Sequence, residues 1–315
     1  MEKETAGFKV VVIGVGLIGP GVATCSALAG YETILVGRTT KKADNGILKA
    51  KSNIEQLLEN NVVTKEQSDR AARLLSPAVG ISRVTKDASL IIEAITEDVE
   101  AKVDLFRELD RNIAEYTIVT STTSGIRVND ITCGLEHAAK MASTHFWFPS
   151  HLIPLVEIVK GERTEESVLL KLRDIMLSWG KAPVILRRDM PGQLANRIQQ
   201  AVIREAISIV ESGAATAEDV DTAIKMGFGI RLPAWGPLEH LDAVGLDLAL
   251  SVQRSVVPSL DNRIEPSVYL SRLVDSGSVG HKSGTGFYDW GKKNMESLAS
   301  TRDQFIMKAL RLLRE

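Results

Sequence analysis

The stretch FKVVVIGVGLIG, residues 8–19, decides the fold that we predict for this chain. Its first half is apolar and largely β-branched, which is typical of a buried strand. The run then reaches a glycine, and the small residues from Leu17 to Ala29 favour a helix. A strand, a tight turn and a helix in this order predict the first unit of a parallel sheet that is flanked by helices.

Three glycines in this stretch follow the spacing GxGxxG where the strand would pass into the helix. Gly14 permits the tight turn, Gly16 lets the backbone approach a pyrophosphate, and Gly19 lets the helix pack close to the sheet. We therefore predict a dinucleotide site at this turn. Its predicted cofactor-binding residues are Gly14, Gly16, Leu17, Ile18 and Gly19.

The end of the second predicted strand selects between the two nicotinamide dinucleotides. Chains that bind NAD usually carry Asp or Glu there, which accepts a hydrogen bond from the ribose 2′-hydroxyl. Here the place is taken by Gly37, followed by Arg38, Thr39 and, farther on, two lysines. Guanidinium and hydroxyl groups suit a phosphate, so we predict that Arg38 and Thr39 contact NADP(H), in preference to NAD(H). The alternative is a solvated basic loop beside a pocket that accepts NAD.

The remaining sequence divides into two parts. Strand-like runs alternate with helical segments as far as Asp189, and no strand-like run follows the chain break at Met190-Pro191-Gly192. Such alternation is typical of a mainly parallel sheet with helices on both faces. We predict an α/β fold in which residues 1–189 form a Rossmann-type, doubly wound dinucleotide-binding domain. Residues 190–315 form an all-helical C-terminal domain.

Composition excludes several classes of protein. The 315 residues are 44% hydrophobic and 25% charged with a net charge of -2, which gives no basic excess for nucleic acid or anionic lipid. No apolar run reaches the roughly 20 residues of a membrane span, and the start MEKETAGF lacks a secretory apolar region. Cys25 and Cys133 are far apart in the sequence, which suggests neither a disulfide framework nor a zinc site. We expect a cytoplasmic protein that binds neither nucleic acid nor membrane.

Two residues of the first domain suit acid–base chemistry. His145 lies in an apolar run, and Glu157 lies inside the strand-like run LVEIV, where a carboxylate needs a partner. A carboxylate that holds one ring nitrogen of a histidine leaves the other nitrogen to move a proton. A single histidine in such a run is more often structural, so the pairing is a hypothesis. The other histidines lack a ligand spacing such as HExxH, and we expect no metal site.

Four segments together resemble the 3-hydroxyacyl-CoA dehydrogenase family, and the resemblance covers nearly the whole chain. They are HFWFPSHLIPLVE at 145–157, PGQLANR at 191–197, GHKSGTGFY at 280–288 and the strand-end Ser124. The resemblance implies a Rossmann domain followed by a helical domain that commonly forms the dimer. A homodimer is therefore expected.

The same resemblance implies roles for individual positions. His145 is expected to exchange the substrate proton, and Glu157 to orient and polarise it. Ser124 and Asn196 are expected to form hydrogen bonds with the reacting oxygen and to stabilise its developing charge. The implied cofactor-binding positions outside the glycine loop are Glu97, Lys102 and Lys282.

Two departures from the family pattern bear on the substrate. Phe148 stands where the family has Asn, which makes the pocket more apolar, and Gly37 stands where NAD-using members carry Asp. The segment after His145 is more similar to the short L-gulonate, carnitine and pyridine-carboxylate dehydrogenases, which act on free acids. We expect reversible hydride transfer between NADP(H) and a 3-hydroxy or 3-oxo acid or a related small carboxylate. Arg231 or Arg197 is a candidate partner for the carboxylate.

Three other functions stay open at this point. The first is a hydroxymethyl or aldehyde dehydrogenase of a ring carboxylate, and the second is a 3-hydroxyacyl-CoA dehydrogenase. The third is a non-catalytic protein that binds a dinucleotide. The presence of the full set Ser124, His145, Glu157 and Asn196 argues against the third.

Overall fold

The computed structural model describes residues 7–313, in which an eight-stranded sheet is followed by a helical region. The strands are β1 Lys9–Ile13, β2 Glu32–Gly37, β3 Leu75–Val79, β4 Leu90–Glu93, β5 Ile118–Ser121, β6 Met141–Phe146, β7 Leu155–Val159 and β8 Ala182–Leu186. The α-helices are α1 Gly19–Leu28, α2 Thr40–Glu59, α3 Lys65–Leu74, α4 Val99–Asp110, α5 Val128–Thr132, α6 Glu166–Ser178, α7 Ala195–Glu211, α8 Ala217–Met226, α9 Pro237–Val244, α10 Leu246–Val256, α11 Val268–Asp275 and α12 Met295–Leu312.

The strand order places a crevice next to the first strand. The order across the sheet is β3-β2-β1-β4-β5-β6-β7-β8. The chain therefore builds outward from β1 on one side and then returns to build on the other side from β4. In such sheets, ligands bind outside the carboxyl ends of the strands at this change of direction. The topology confirms the predicted doubly wound α/β sheet, with the glycine loop at the crevice.

Both faces of the sheet are buried. Val10 and Val12 of β1 pack in the same cluster as Val22 of α1. Val11, on the opposite face, packs in a second cluster with Phe106 of α4. Burial of each such aliphatic side chain stabilises the fold by about 1.5–3 kcal/mol. Two covered faces explain why the strand is a continuous apolar run instead of an alternating one.

The edge strand β3 was missed by the sequence analysis. The charged stretch 47–75 reads as helical, yet its end forms the start of β3, which pairs in parallel with β2. The strand has the sequence LSPAV, and its Pro77 has no N–H group to donate to a ladder. Proline is tolerated on an edge strand, where only one side of the backbone is paired.

One pair of strands is antiparallel. β6 runs parallel to β5, but β7 runs antiparallel to β6, and the register places His145 directly opposite Glu157. The connection over residues 147–154 contains a cis peptide bond between Phe148 and Pro149. This reversal brings the two residues to the same edge of the sheet as the loops that follow β4 and β5.

The chain forms two compact units. One contains the described residues as far as Leu194 together with Gln304–Arg311, and the second contains Ala195–Asp303. Within the first unit, Met307 of α12 is buried in a cluster with Leu57 and Leu152. The second unit consists of helices and short turns, as predicted.

Helix ends in the second unit have recognisable caps. Gly213, after α7, has a φ of 74°, the left-handed conformation that glycine readily adopts at a helix stop. Thr216 and Asp219 form a capping box at the start of α8.

Two predictions involve residues outside the described range. The expectation that the start MEKETAGF lacks a secretory apolar region rests partly on residues 1–6, and the helical domain predicted over 190–315 includes residues 314–315. Between residues 7 and 313, no helix is both long enough and apolar enough to cross a bilayer.

Candidate active site

The glycine loop between β1 and α1 has no room for side chains at two of its positions. A Cβ atom on Gly14 would lie 2.2 Å from the carbonyl oxygen of Ala94, and the φ of Gly14 is 124°. A Cβ on Gly19 would lie 1.9 Å from the carbonyl oxygen of Gly14. Gly16 differs, because nothing lies within 4 Å of the place where its Cβ would stand. Two glycines therefore permit the close packing of the loop, and the third leaves its backbone open to a ligand.

The start of α1 fits an anionic group. Ile18, its N-cap, provides no side-chain hydrogen bond, and the first turn carries no acidic residue. The first N–H groups of a helix need acceptors, and the helix dipole favours a negative charge there. An uncapped start beside the open backbone of Gly16 fits the pyrophosphate of a dinucleotide.

Replacing Gly16 with alanine is expected to weaken dinucleotide binding by at least about tenfold, or about 1.4 kcal/mol. The added methyl group meets no protein atom within 4 Å, so it would occupy the ligand's approach and leave the fold intact. Titration of cofactor fluorescence measures the affinity, and thermal unfolding of the unliganded protein should match that of the wild type. In contrast, Gly19→Ala is expected to lower the unfolding temperature, and equal unfolding of both variants would contradict this assignment.

The end of β2 presents cationic and hydroxyl groups but no carboxylate. Gly37 is buried, and a Cβ there would lie 2.6 Å from the backbone nitrogen of Ala43. The family's aspartate therefore cannot be accommodated unless the first turn of α2 moves. Arg38 is exposed and has no ion pair among residues 7–313. The hydroxyl of Thr39 caps α2 by accepting a hydrogen bond from the Lys42 N–H at 3.3 Å.

The His145–Glu157 pair is present. Nδ1 of His145 lies 2.7 Å from Oε2 of Glu157, and both residues are buried. A carboxylate accepts and does not donate, so Nδ1 carries the proton in this hydrogen bond. Nε2 is then the nitrogen that can exchange a proton with a ligand.

Two further groups hold the carboxylate of Glu157. The indole N–H of Trp147 donates to Oε2 at 3.1 Å, and the backbone N–H of Leu194 donates to Oε1 at 2.9 Å. A fully buried carboxylate would be costly without such donors. Both oxygens of Glu157 are therefore engaged, which fixes the orientation of the His145 ring. Neither Trp147 nor Leu194 was predicted to have this role.

The loop after β5 is held by Glu97. Oε1 of this residue accepts hydrogen bonds from the backbone N–H groups of Ser124 and Gly125 at 3.0 and 3.1 Å, and from the Thr123 hydroxyl. Burial raises the pKa of Glu97, but the Thr123 hydroxyl, the charge of Lys102 and the two N–H groups outweigh it and hold the pKa below its usual value. Ser124 itself is exposed, and its hydroxyl lies 3.5 Å from Oε1.

Lys102 is engaged in a buried ion pair. Its Nζ lies 2.7 Å from Oε1 of Glu93 and 3.4 Å from Oε2 of Glu97. Glu93 was missed by the sequence analysis, although it lies within the apolar run LIIEAI just as Glu157 lies within LVEIV. A carboxylate in a buried strand needs a partner, and this argument applies to Glu93 as it does to Glu157. It would have predicted a cationic partner for Glu93, which in the structure is Lys102.

The other predicted site residues lie in the second unit. Asn196 lies in the first turn of α7, and Lys282 lies in the short turn His281–Ser283. Arg231 is exposed at the end of another short turn, where Nη2 lies 3.5 Å from Nε2 of His240. The predicted set is therefore divided, with Ser124, His145 and Glu157 in the first unit.

A cavity of about 230 Å³ lies beside the glycine loop. It is lined by Gly16 and Leu17 of the loop, by Lys49 and Asn53 of α2, and by Phe148. A larger cavity of about 510 Å³ within the second unit is mostly apolar and contains none of the predicted site residues, whereas the cavity beside the glycine loop contains Gly16 and Leu17 of the predicted cofactor site. Among residues 7–313, no group of three or more His, Cys, Asp or Glu side chains is placed to hold a metal ion.

Comparison with known proteins supports the fold and the motifs. Residues 9–190 match the family model of the NAD binding domain of 3-hydroxyacyl-CoA dehydrogenase. Residues 192–290 match the model of the C-terminal domain of the same enzyme. The two models together cover most of the chain.

Curated relatives and solved structures agree with this assignment. The chain is 30% identical over 312 residues to 5-formyl-3-hydroxy-2-methylpyridine 4-carboxylate 5-dehydrogenase of Mesorhizobium japonicum, covering 97% of this chain and 98% of that protein. A crystal structure of a dehydrogenase of this name, described as an NAD+ dependent dismutase, superposes with a TM-score of 0.89 at 28% identity, covering 97% and 98% of the two chains.

The mitochondrial hydroxyacyl-coenzyme A dehydrogenase of Sus scrofa is 33% identical over 292 residues, covering 89% of this chain and 90% of that protein. This chain therefore belongs to the 3-hydroxyacyl-CoA dehydrogenase family, as its motifs predicted, and is an oxidoreductase with a nicotinamide-dinucleotide-binding domain.

Proposed function

We propose that this protein transfers a hydride reversibly between NADP(H) and a small 3-hydroxy or 3-oxo acid or related carboxylate, with His145 and Glu157 as its acid–base pair. The observation that carries the proposal is the 2.7 Å contact between Nδ1 of His145 and the buried Glu157 carboxylate. A histidine with one nitrogen held by a carboxylate is suited to general acid–base catalysis through the other.

The two residues divide the proton chemistry between them. The nicotinamide ring, when bound, accepts or donates the hydride. During oxidation, Nε2 of His145 takes the proton of the substrate hydroxyl as the carbon loses hydride, so that the CH–OH group becomes a carbonyl. Glu157 stabilises the imidazolium that results, and the reverse reaction returns the same proton. Ser124 completes the set in the first unit by donating a hydrogen bond to the reacting oxygen. For Asn196, in the second unit, the same role is what the family resemblance implies.

Two side chains at the cavity beside the glycine loop support a small carboxylate as the substrate. Phe148 gives the cavity an apolar wall, and Lys49 gives it a cation that has no ion pair in the described part of the chain. A screen of small 3-oxo acids with NADPH, followed by the loss of nicotinamide absorbance, tests this substrate class. Absence of turnover of every acid in the screen would contradict it.

A second candidate is oxidation or reduction of an aldehyde on a ring carboxylate. The relative from Mesorhizobium japonicum, which matches over nearly its whole length, favours it by its name. The apolar Phe148 at the cavity is compatible with a ring. Turnover of 5-formyl-3-hydroxy-2-methylpyridine 4-carboxylate in both directions, without turnover of 3-oxo acids, would favour this candidate over the first.

The preference for NADP(H) is supported by the end of β2. The crowded Gly37 excludes the carboxylate that reads a free 2′-hydroxyl, and the exposed Arg38 has no ion pair within residues 7–313. A guanidinium without a carboxylate partner is suited to bind a phosphate. The family model describes an NAD-binding domain, so this preference is a difference within the family.

Arg38→Ala is expected to weaken NADPH binding by about tenfold while leaving NADH binding within about twofold, because one charge-assisted contact to the 2′-phosphate is lost. Fluorescence titration with each reduced cofactor measures both affinities. Arg73→Ala is the matched control, since Arg73 is also exposed, at the end of α3. Tighter binding of NADH than of NADPH by the wild type would refute the proposed preference.

A homodimer is also proposed. Helix α10 has a large exposed apolar surface, with Leu246 62% and Leu248 54% exposed, and only Ala249 of its residues is buried. Large exposed apolar surfaces often mark protein–protein contacts.

The cytoplasmic location remains a proposal that rests on two free cysteines, Cys25 and Cys133.

A further inference from the structure

Three charged side chains form a cluster at the carboxyl end of β4 that the acid–base chemistry does not use. Lys102 and Glu93 are completely buried, and their ammonium and carboxylate groups lie 2.7 Å apart. Glu97 is the third member, with Oε2 at 3.4 Å from the same ammonium group. Two carboxylates therefore share one ammonium group, and the cluster carries one uncompensated negative charge.

That uncompensated charge is presented at Glu97. Both oxygens of Glu93 lie within 2.8 Å of Nζ of Lys102, so its charge is balanced. Glu97 is farther from the ammonium group, and its side chain remains 42% exposed. Burial raises the pKa of Glu97, but the Thr123 hydroxyl and the charge of Lys102 lower it, and the pKa lies below its usual value. Glu97 is therefore ionised at neutral pH. A permanent negative charge thus lies in the loop after β4, a strand that borders the crevice.

The topology identifies which half of a dinucleotide meets this charge. The sheet has two halves, one on each side of the crevice between β1 and β4. The glycine loop and the end of β2 belong to the half that binds the adenosine portion. Glu97 belongs to the other half, together with Ser124 and the proton-exchanging His145. The reacting ring has to lie on the His145 side, and therefore on the Glu97 side.

We propose that the negative charge of Glu97 strengthens binding of the oxidised cofactor at this site. An uncharged residue at position 97 would bind the oxidised form more weakly and the reduced form about equally well. The oxidised nicotinamide ring carries a positive charge that the reduced ring lacks. A carboxylate in a crevice of reduced dielectric stabilises that charge. Because the phosphates are the same in both forms, the ratio of the two dissociation constants isolates the effect on the ring.

This preference has a consequence for direction. A site that stabilises the oxidised form makes the bound reduced form a stronger hydride donor, as linkage requires. Glu97 therefore favours reduction of a carbonyl at this site. The inference rests on the nicotinamide cofactor of the proposed function but not on its substrate.

Glu97→Gln is the decisive variant. The amide oxygen of glutamine can still accept from the N–H groups of Ser124 and Gly125, whereas the charge is lost. We expect the Kd of the oxidised cofactor to rise about tenfold and the Kd of the reduced cofactor to stay within about twofold. A tenfold change in their ratio equals about 30 mV in the reduction potential of the bound couple. Calorimetric titration with NADP+ and fluorescence titration with NADPH, both without substrate, give the ratio.

Glu100→Gln is the matched control. Glu100 is exposed in the first turn of α4, so this variant removes the same charge three positions away, and both dissociation constants should stay unchanged. Equal weakening of the two forms by Glu97→Gln, or no change in either, overturns the proposal, since Glu97 would then only hold the loop. If Glu97→Gln fails to fold, the salt dependence of cofactor binding by the wild type tests the proposal instead. The ratio of its Kd for NADP+ to its Kd for NADPH should rise as salt screens the carboxylate, and a salt-independent ratio overturns the proposal.

The outcomes separate this inference from the proposed function. Failure to turn over any 3-oxo acid or aldehyde would contradict the proposed substrates while leaving the binding ratio measurable. Failure of both cofactor forms to bind would overturn the inference and the proposed function together.

Discussion

His145→Gln is expected to lower kcat by about 10²- to 10⁴-fold, the usual contribution of a positioned general acid or base. Glutamine is similar in length and polarity, but its amide cannot exchange the substrate proton. The Glu157 carboxylate keeps the N–H donors of Trp147 and Leu194, so the neighbouring structure should hold. Steady-state kinetics with the best substrate of the screen measures the loss, and titration should give an unchanged Kd for NADPH.

The chain provides a matched control for this variant. Nδ1 of His137 lies 3.0 Å from a carboxylate oxygen of Asp110, which is the same type of pair. His137 precedes the amino end of β6, whereas His145 lies near its carboxyl end, at the same edge of the sheet as the glycine loop. We expect His137→Gln to leave kcat unchanged. Wild-type kcat in His145→Gln would instead support the non-catalytic protein that the sequence analysis left open.

Lys102→Met is expected to lower the free energy of unfolding by about 3–5 kcal/mol, because it leaves the buried Glu93 carboxylate without its cation. Methionine fills a similar volume, so the loss measures the uncompensated charge and not a cavity. The remaining donors to Glu93 are the Ile95 N–H and the Ser121 hydroxyl, which carry no charge. Denaturant unfolding followed by circular dichroism gives the free energy, provided that both units unfold in one transition.

Two comparisons give this stability prediction its meaning. Adding Glu93→Gln to Lys102→Met removes the stranded charge, so the double variant should be more stable than Lys102→Met alone. Lys65→Met removes an exposed ion pair with Asp69, whose side chains are 73% and 48% exposed, and should cost no more than about 1 kcal/mol. An effect of Lys102→Met as small as that of Lys65→Met would contradict this prediction.

The sequence predicted the parts of the fold that depend on local pattern. The strand, glycine turn and helix of residues 8–29 have side-chain periods and backbone needs that are visible in a short window. β3 was not visible, because a five-residue strand with a proline at an edge lacks the apolar run of the inner strands. The antiparallel turn from β6 to β7 was also not predicted, since strand direction depends on long-range pairing.

The candidate site was predictable where a residue is chemically out of place. Glu157 in an apolar strand demanded a partner, and His145 is that partner. The same argument was not applied to Glu93, which left Lys102 assigned by resemblance alone. Backbone donors such as the Leu194 N–H cannot be predicted from side-chain identity, because only the folded path of the chain aims them.

The antiparallel register of β6 and β7 separates what must be conserved in this protein from what can diverge. His145 faces Glu157 through the ladder itself, so backbone hydrogen bonds of the two strands set the distance between them. The connecting loop carries Phe148 into the cavity wall, and its first residue, Trp147, adds a hydrogen bond to the Glu157 carboxylate. Replacements in the loop beyond Trp147 can alter the cavity wall while the contact between His145 and Glu157 stays in place. The ladder of β6 and β7 therefore fixes the contact between His145 and Glu157, whereas the loop shapes the wall of the cavity beside the glycine turn.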